Sequence, residues 1–125
     1  MPDRMKIVAF DLDDTLCVRD SEEGGVKKYL TSRPIPEMVE LCNQCYDEGY
    51  FIVIYTARGM YYFDGRQHDI YDELYELTKN QLREWGIKHH RLVLGKVHYD
   101  LLIDDKARDA YMIRTLRHVK EALGD

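Results

Sequence analysis

Short apolar runs alternate along the chain with longer segments of helical periodicity. The apolar runs are Ile7–Phe10, Phe51–Tyr55, Leu92–Leu94 and Leu101–Ile103, and each ends in a polar or charged cluster. The second run is apolar throughout and rich in β-branched and aromatic residues, as is typical of a central strand covered on both faces. The pattern therefore predicts four strands.

Three other segments carry helical signals. The spacing of apolar residues, together with prolines at the start and a glycine at the end, predicts a helix between Pro34 and Gly49. A second helix is predicted over about 69–85 and a third over about 106–123. Alternation of strands and helices favours a parallel sheet with right-handed crossovers.

We therefore predict an α/β fold, a single Rossmann-like three-layer domain spanning residues 1–125. Residues 16–33 contain a Gly-Gly pair between two apolar stretches, which predicts a small β-hairpin flap. Residues 57–68 form a polar and aromatic loop. Neither segment is long enough for a separate domain, so we expect no large cap domain.

Composition narrows the range of functions. With 45% hydrophobic residues and no apolar run near the roughly 20 residues that a membrane helix needs, we expect a globular protein that does not bind membranes. The first residues show no signal-peptide pattern, which predicts a cytoplasmic location. A formal net charge of -5 without a basic stripe disfavours a nucleic-acid partner.

Cys42 and Cys45 form a C-x-x-C pair well inside the first predicted helix. A zinc site would need two further ligands, and a redox pair would stand at the start of a helix. Because free cysteine often behaves as a small buried hydrophobe, we predict that both thiols face the core.

Charged and hydroxyl residues follow the predicted strands, and they are Asp11, Asp13, Asp14, Thr56, Lys96, Asp104 and Asp105. The carboxyl ends of parallel strands meet at one edge, where ligands bind. Carboxylate oxygens at Asp11 and Asp104 suit Mg²⁺. Thr56 and backbone N–H groups can hold phosphate oxygens, while the positive charge of Lys96 lets an anionic nucleophile approach an anionic substrate.

The run Phe10-Asp11-Leu12-Asp13-Asp14-Thr15-Leu16 resembles the first signature of haloacid dehalogenase-type phosphatases, in which Asp-x-Asp-x-Thr follows a hydrophobic strand. Tyr55-Thr56 is similar to the second signature, Lys96 to the third and Leu102-Ile103-Asp104-Asp105 to the fourth. The four signatures occur in the family's order and span most of the chain.

The resemblance implies a mechanism and a cofactor. Asp11 would attack phosphorus and form an aspartyl-phosphate, and Asp13 would protonate the leaving alcohol and then activate water. Mg²⁺ would be held by Asp11, the main-chain carbonyl of Asp13, and Asp104. Asp105 would orient a metal-bound water, with Asp109 as the alternative second acid.

Phosphate contacts are implied for Leu12, Thr56, Ala57, Arg58 and Lys96. Several roles stay open from the sequence. Arg58 could grip the phosphate or a substrate anion, or it could be a solvated loop residue. The aromatic run 61–63 could form a substrate wall, anchor its loop or contact a partner subunit. We expect Asp14 to cap a turn and Asp100 to hold Lys96 or Lys106 in place.

The segments 55–58 and 96–107 resemble small capless phosphatases of capsule and surface-polysaccharide biosynthesis. The resemblance implies a sugar phosphate or another small polyol phosphate as substrate, at a site that is either open or closed by homo-oligomer formation. The alternatives are a receiver-like phosphoacceptor domain, a polynucleotide 3′-phosphatase and an idle binding protein on the same fold.

Overall fold

The structure is a computed structural model that describes residues 4–19 and 25–125. Its strands are β1 (Ile7–Phe10), β2 (Cys17–Val18), β3 (Arg33–Pro34), β4 (Phe51–Thr56) and β5 (Arg91–Leu94). Its α-helices are α1 (Pro36–Glu48), α2 (Gln67–Glu84) and α3 (Leu116–Leu123), with 3₁₀ helices over Gly25–Tyr29 and Ala110–Met112. No helix among the described residues has the length and apolar character needed to cross a membrane.

The main sheet has three parallel strands in the order β1-β4-β5. The chain moves across this sheet in one direction, so right-handed crossovers place α1 and α2 on the same face. Burial agrees with this, because every second residue of β4, namely Ile52, Ile54 and Thr56, is almost fully buried. The apolar sides of α1 and α2 supply the other half of this core.

The opposite face of the sheet stays partly open. Ile7 of β1 is 55% exposed and Tyr55 of β4 is 38% exposed. Phe51, on the same face of β4, is partly covered by the stacked ring of His90. Among the described residues the third layer is therefore incomplete, although the α/β class and the parallel sheet are confirmed.

The predicted β-hairpin flap over residues 16–33 is confirmed. Its two ends pair as short antiparallel strands, β2 with β3, and a 3₁₀ helix occupies Gly25–Tyr29. Residues 20–24, which include Gly24 of the predicted turn, lie outside the described residues. The flap begins directly after the Asp11–Leu16 loop and so stands beside the carboxyl ends of the strands.

Helix α1 follows the prediction closely. Pro36 occupies its first turn, and Gly49 ends it in the left-handed region at φ 103° while its N–H contacts the carbonyls of Cys45 and Tyr46. Cys42 and Cys45 are fully buried, which confirms their predicted place in the core. Burial raises the pKa of the Cys42 thiol to about 12 and that of Cys45 to about 11.

The prediction for the C-terminal part of the chain was wrong in two places. Leu101–Ile103 is not a strand of the described structure but an exposed segment without regular secondary structure. Only residues 95–100 separate it from the end of β5, whereas a parallel neighbour needs a crossover of roughly a dozen residues or more. The short connection leaves the segment outside its own sheet.

The third helix is shorter than predicted and begins at Leu116. Asp109 accepts a hydrogen bond from the N–H of Tyr111 at 2.8 Å, and Thr115 accepts one from the N–H of His118 at 3.2 Å. Such side-chain acceptors compete with helical hydrogen bonds and suit turns and N-caps. The helix therefore starts after its Thr115 cap, and residues 106–115 form irregular structure and a 3₁₀ turn.

Candidate active site

An open cavity of about 330 Å³ lies at the carboxyl ends of β1, β4 and β5. It gathers most of the residues singled out from the sequence, and its lining includes Asp11, Asp13, Asp14, Thr56, Ala57, Arg58 and Lys96. The parallel register makes this possible, because Phe10 pairs with Ile54 and Thr56 pairs with Leu94, so the three strands end at similar heights. The expected site at this sheet edge is thus brought together from three strands.

Asp11 stands at the mouth of the cavity and is held from both sides. Lys96 Nζ lies 3.2 Å from its Oδ1, and the Thr15 hydroxyl donates to its Oδ2 at 3.2 Å. The Asp11 side chain nevertheless remains 37% exposed. A carboxylate that is fixed in direction and open to solvent on one side can meet a ligand in the cavity.

Lys96 is tied to the sheet by its own backbone. Its N–H donates to the Thr56 carbonyl at 3.1 Å, which continues the pairing of β5 with β4 by one step. Burial by itself would lower the pKa of Lys96, but the Asp11 carboxylate and contacts with Tyr99 outweigh burial and raise the pKa above its ordinary value. Lys96 is therefore a protonated, positioned cation across the neutral pH range.

Thr56 ends β4 with a buried side chain. Its Oγ1 accepts a hydrogen bond from the Arg58 N–H at 3.2 Å, so the hydroxyl proton stays available to another acceptor. Ala57 also lines the cavity. Leu12, in contrast, is fully buried, and its carbonyl accepts from Leu16 N–H at 2.8 Å, so its side chain belongs to the core.

Arg58 has a different role from the two that the sequence left open. Its side chain is buried and grips Asp13, with Nε 3.0 Å from Oδ2 and Nη2 3.1 Å from Oδ1. Its Nη1 donates to Thr78 Oγ1 at 3.1 Å and to Gln81 Oε1 at 2.6 Å. It is thus not a solvated loop residue, and in this arrangement its donors serve the protein rather than a phosphate.

Residues that the sequence analysis missed complete this arginine cluster. Tyr29 lies under the guanidinium, 4.7 Å from ring centroid to Arg58 Cζ, and its hydroxyl accepts the Gly59 N–H at 3.1 Å. Cys17 Sγ lies 3.4 Å from Asp13 Oδ1, and burial followed by the charge of Asp13 raises the pKa of this thiol to about 12. Tyr29 and Cys17 precede Arg58 by tens of residues, and no sequence signal links them to it.

The aromatic run 61–63 is divided between two environments. Tyr61 and Tyr62 are exposed at the cavity mouth, whereas Phe63 packs against the core. Tyr61 also contacts the ring of His98 at 5.5 Å between centroids. The structure thus favours a wall of the cavity for the first two rings and a loop anchor for the third.

Asp14 occupies a turn, as expected. Its φ of 68° lies in the left-handed region, and its N–H donates to the Cys17 carbonyl at 2.7 Å. Its side chain reaches Arg19 at 3.4 Å. Asp and Asn adopt this conformation more readily than most residues do, so Asp14 shapes the loop that presents Asp11 and Asp13.

The fourth predicted strand end is not brought to the cavity. Asp104 is exposed and accepts from the Lys106 N–H at 2.8 Å, and Asp105 pairs with Lys106 Nζ at 3.0 Å. Asp100 and Asp109 are exposed as well, and none of these four carboxylates lines the cavity. Within the described ranges no three acidic, histidine or cysteine side chains are grouped to hold a metal ion.

The metal set implied by the resemblance is therefore incomplete within this copy of the chain. Asp11 and Asp13 line the cavity, but Asp104, the second carboxylate of the implied set, lies elsewhere. Mg²⁺ prefers several oxygen ligands in a near-octahedral arrangement. One open carboxylate alone does not fit that requirement.

Comparison with known proteins gives information on the fold alone. The chain matches no family model and no curated protein. Among solved structures it is similar to the crystal structure of an MCSG target from Vibrio cholerae, with a TM-score of 0.80 and 24% sequence identity. The likeness covers 96% of this chain and 98% of that chain. At this identity the likeness shows a shared α/β fold over nearly the whole chain.

Proposed function

We propose that this chain is a phosphohydrolase that cleaves a phosphate monoester with Asp11 as its nucleophile and depends on Mg²⁺. The observation that carries the proposal is the contact between Asp11 and Lys96 at the open mouth of the cavity. An exposed carboxylate and a fixed cation at one point are what an anionic nucleophile needs to approach an anionic phosphate.

The first step follows from these positions. An Asp11 oxygen attacks phosphorus, the bond from phosphorus to the ester oxygen breaks, and the Asp13 carboxyl transfers a proton to the leaving alkoxide. The charge of Lys96 balances the negative charge on the oxygens of the transferring phosphoryl group. The Thr56 hydroxyl donates a hydrogen bond to one of these oxygens. Arg58 contributes indirectly, because its two contacts fix the direction of the Asp13 carboxyl.

In the second step Asp13 takes a proton from water, and the resulting nucleophile attacks the aspartyl-phosphate. The bond between phosphorus and the Asp11 oxygen breaks, which releases inorganic phosphate and restores both carboxyl groups. The cation is a requirement of the proposed reaction, but the described residues offer it only part of a site.

The cavity mouth favours a small polar substrate. Arg19 and Lys28 add positive charge, and Tyr61, Tyr62 and Tyr99 present ring surfaces. Aromatic faces pack against the C–H faces of sugars while polar groups fix the hydroxyls. We therefore keep a sugar or polyol phosphate in surface-polysaccharide biosynthesis as the substrate class, in the cytoplasm, and a polynucleotide as the less favoured one.

The test is phosphate release from a panel of esters, with Mg²⁺ and with excess EDTA. The panel contains sugar phosphates, polyol and amino-alcohol phosphates, nucleotides and an oligonucleotide 3′-phosphate. Metal-dependent release, lost in Asp11→Asn and kept in the control Asp47→Asn, is the expected result. Asp47 is an exposed acid that pairs with Lys88 and does not line the cavity.

Two outcomes would contradict the proposal. One is normal turnover by folded Asp11→Asn, because the nucleophile would then lie elsewhere. The other is the absence of release from every ester, combined with stable phosphorylation of Asp11 by a small phosphodonor, which would favour the receiver-like reading. Circular dichroism of each variant separates loss of chemistry from loss of fold.

A further inference from the structure

The segment Leu101–Ile103 consists only of apolar residues, yet it is exposed to solvent. Leu101 is 76% exposed and Ile103 is 90% exposed, and two acidic residues follow directly. Scattered exposed apolar residues are ordinary, but a contiguous apolar segment usually marks a contact with another molecule. Its sequence repeats the form of β1, a short apolar run followed directly by an aspartate.

One edge of the main sheet is open. Among the residues that the structure describes, β1 pairs with β4 alone, and its other side has no strand partner. Unpaired N–H and C=O groups on such an edge are a template for another strand. Ile7 and Ala9 of β1 are exposed on one face of the sheet beside this edge, so the edge and this face form one uncovered surface.

The segment cannot easily reach this edge within its own chain. Six residues, 95–100, separate it from the end of β5 at the far side of the sheet. Within that connection Lys96 is held at the carboxyl edge by Thr56 and Asp11. A parallel strand beside β1 would have to start at the amino edge, and such a crossover takes roughly a dozen residues. A second copy of the chain is under no such restriction.

We propose that Leu101–Asp104 of one copy pairs with β1 of a second copy, and that each copy completes the other's site. In the parallel register that levels the two acidic ends, Asp104 lies beside Asp11, Ile103 beside Phe10 and Leu102 beside Ala9. The exchange is mutual, as closed two-fold symmetry requires. This inference rests on the proposed function only for the chemical use of Asp104.

The exchange explains the gap in the site. Asp104 of the second copy supplies a carboxylate next to Asp11, so each shared site offers a divalent cation two carboxylates where one copy offers one. It also places new negative charge near Lys96 and the other cations of the cavity. Covering the exposed parts of the segment and of β1 in both copies would bury on the order of 1,000 Å², which reaches the range of specific interfaces.

The first test uses cysteines introduced at facing positions, in the double variant Ala9→Cys/Leu102→Cys. The three native cysteines are buried and do not compete. Facing residues of adjacent strands lie within disulfide distance. We expect mild oxidation to give covalent dimers on a non-reducing gel, with the peptides around positions 9 and 102 joined.

A disulfide formed within a single chain would overturn the proposal, since it would mean that the segment joins its own sheet. A monomeric mass in light scattering at micromolar concentration, or no disulfide between the two positions, would overturn it as well. Ile103→Lys should convert dimer to monomer without loss of fold because the residue is exposed in the single copy. Leu30→Lys introduces the same charge at another exposed aliphatic residue, so it is the matched control and should remain dimeric.

The second test mixes two inactive variants, Asp11→Asn and Asp104→Asn, after brief unfolding and refolding together. If the sites are shared, half of the dimers are mixed and each mixed dimer holds one intact site, so about a quarter of wild-type activity returns. No recovery in proven mixed dimers would overturn the sharing of Asp104. If the wild type itself releases no phosphate, the proposed function fails, while the disulfide and mass measurements still decide the exchange.

Discussion

Arg58 binds Asp13 through two nitrogens, Nε at 3.0 Å from Oδ2 and Nη2 at 3.1 Å from Oδ1. The guanidinium is almost wholly buried, and its other donors meet Thr78 and Gln81 of α2. A planar fork held at several points fixes the carboxyl it binds, which a flexible ammonium does not. The acid–base residue of the proposed reaction is therefore oriented from the helix that follows β4.

Replacement of Arg58 tests this orientation. Arg58→Lys keeps the charge but loses the fork, so we expect kcat to fall at least tenfold with KM changed little. A phosphate-gripping arginine would instead raise KM. Steady-state kinetics on the best ester of the panel distinguish the two, and Arg66→Lys, an exposed arginine paired with Asp69, is the control.

Arg58 also contributes to stability. Arg58→Met leaves a largely buried Asp13 carboxylate without its partner, which costs about 3–5 kcal/mol in comparable buried pairs. We expect a loss near the lower end, because the cavity gives Asp13 some contact with water. Urea unfolding of Arg58→Met, Asp13→Asn and the double variant measures the coupling, and additive losses would contradict a direct interaction.

Lys96 is expected to matter for turnover far more than for folding. Because the Asp11 carboxylate and Tyr99 keep its pKa above the ordinary value, its charge should persist through any assay at neutral or mildly alkaline pH. Removal of a positioned donor of this kind costs about 10²- to 10³-fold in kcat. We therefore expect Lys96→Met to lose that much activity while its free energy of unfolding changes by less than about 1 kcal/mol.

Partial rescue distinguishes charge from packing at this position. Lys96→Arg should recover part of the activity, whereas Lys88→Met, at a surface lysine paired with Asp47, should leave it unchanged. Full activity in Lys96→Met would remove the contact on which the proposed function rests.

The buried thiols predict a loss of stability at alkaline pH. Burial raises the pKa of Cys17 and Cys42 to about 12 and that of Cys45 to about 11, from an ordinary value of 9.0. In the unfolded chain these thiols ionise above pH 9 while the folded ones stay neutral. Their contribution is thus fully present below pH 9 and is lost as the pH rises towards 12, by up to about 1.4 kcal/mol per pH unit for each thiol.

Urea unfolding at several pH values between neutral and strongly alkaline measures this slope. The double variant Cys42→Ala/Cys45→Ala should show a shallower alkaline decline than the wild type, although it is less stable at neutral pH. Equal slopes in the two proteins would show that the thiols ionise with equal ease in the folded and unfolded states.

Asp14 provides a test of the loop that follows β1. Its φ of 68° suits Asp, Asn or Gly, and a β-branched residue there costs roughly 1–2 kcal/mol. We expect Asp14→Asn to keep stability and most of the activity, and Asp14→Val to lose about that much stability. Thermal unfolding provides the comparison, and equal stability of the two variants would contradict a conformational role.

The sequence by itself determined the elements whose signals are local. The apolar run at β1, the buried core of β4 and the proline and glycine limits of α1 each depend on residues that are neighbours in the chain. It also determined that Asp11, Thr56 and Lys96 share one edge, because parallel strands separated by helices must end on the same side. The long connections between β1, β4 and β5 contain helices and return the chain to the same starting edge, so the three strands are parallel.

Only the tertiary structure decided the rest. The partner of Arg58 lies 45 residues away in sequence, and neither residue carries a local sign of the pair. The place of Leu101–Ile103 depended on whether residues 95–100 could span the sheet, which is a property of chain geometry rather than of apolar pattern. A run of hydrophobic residues specifies that it will be buried or paired, but the length of its connection decides which sheet edge it can reach.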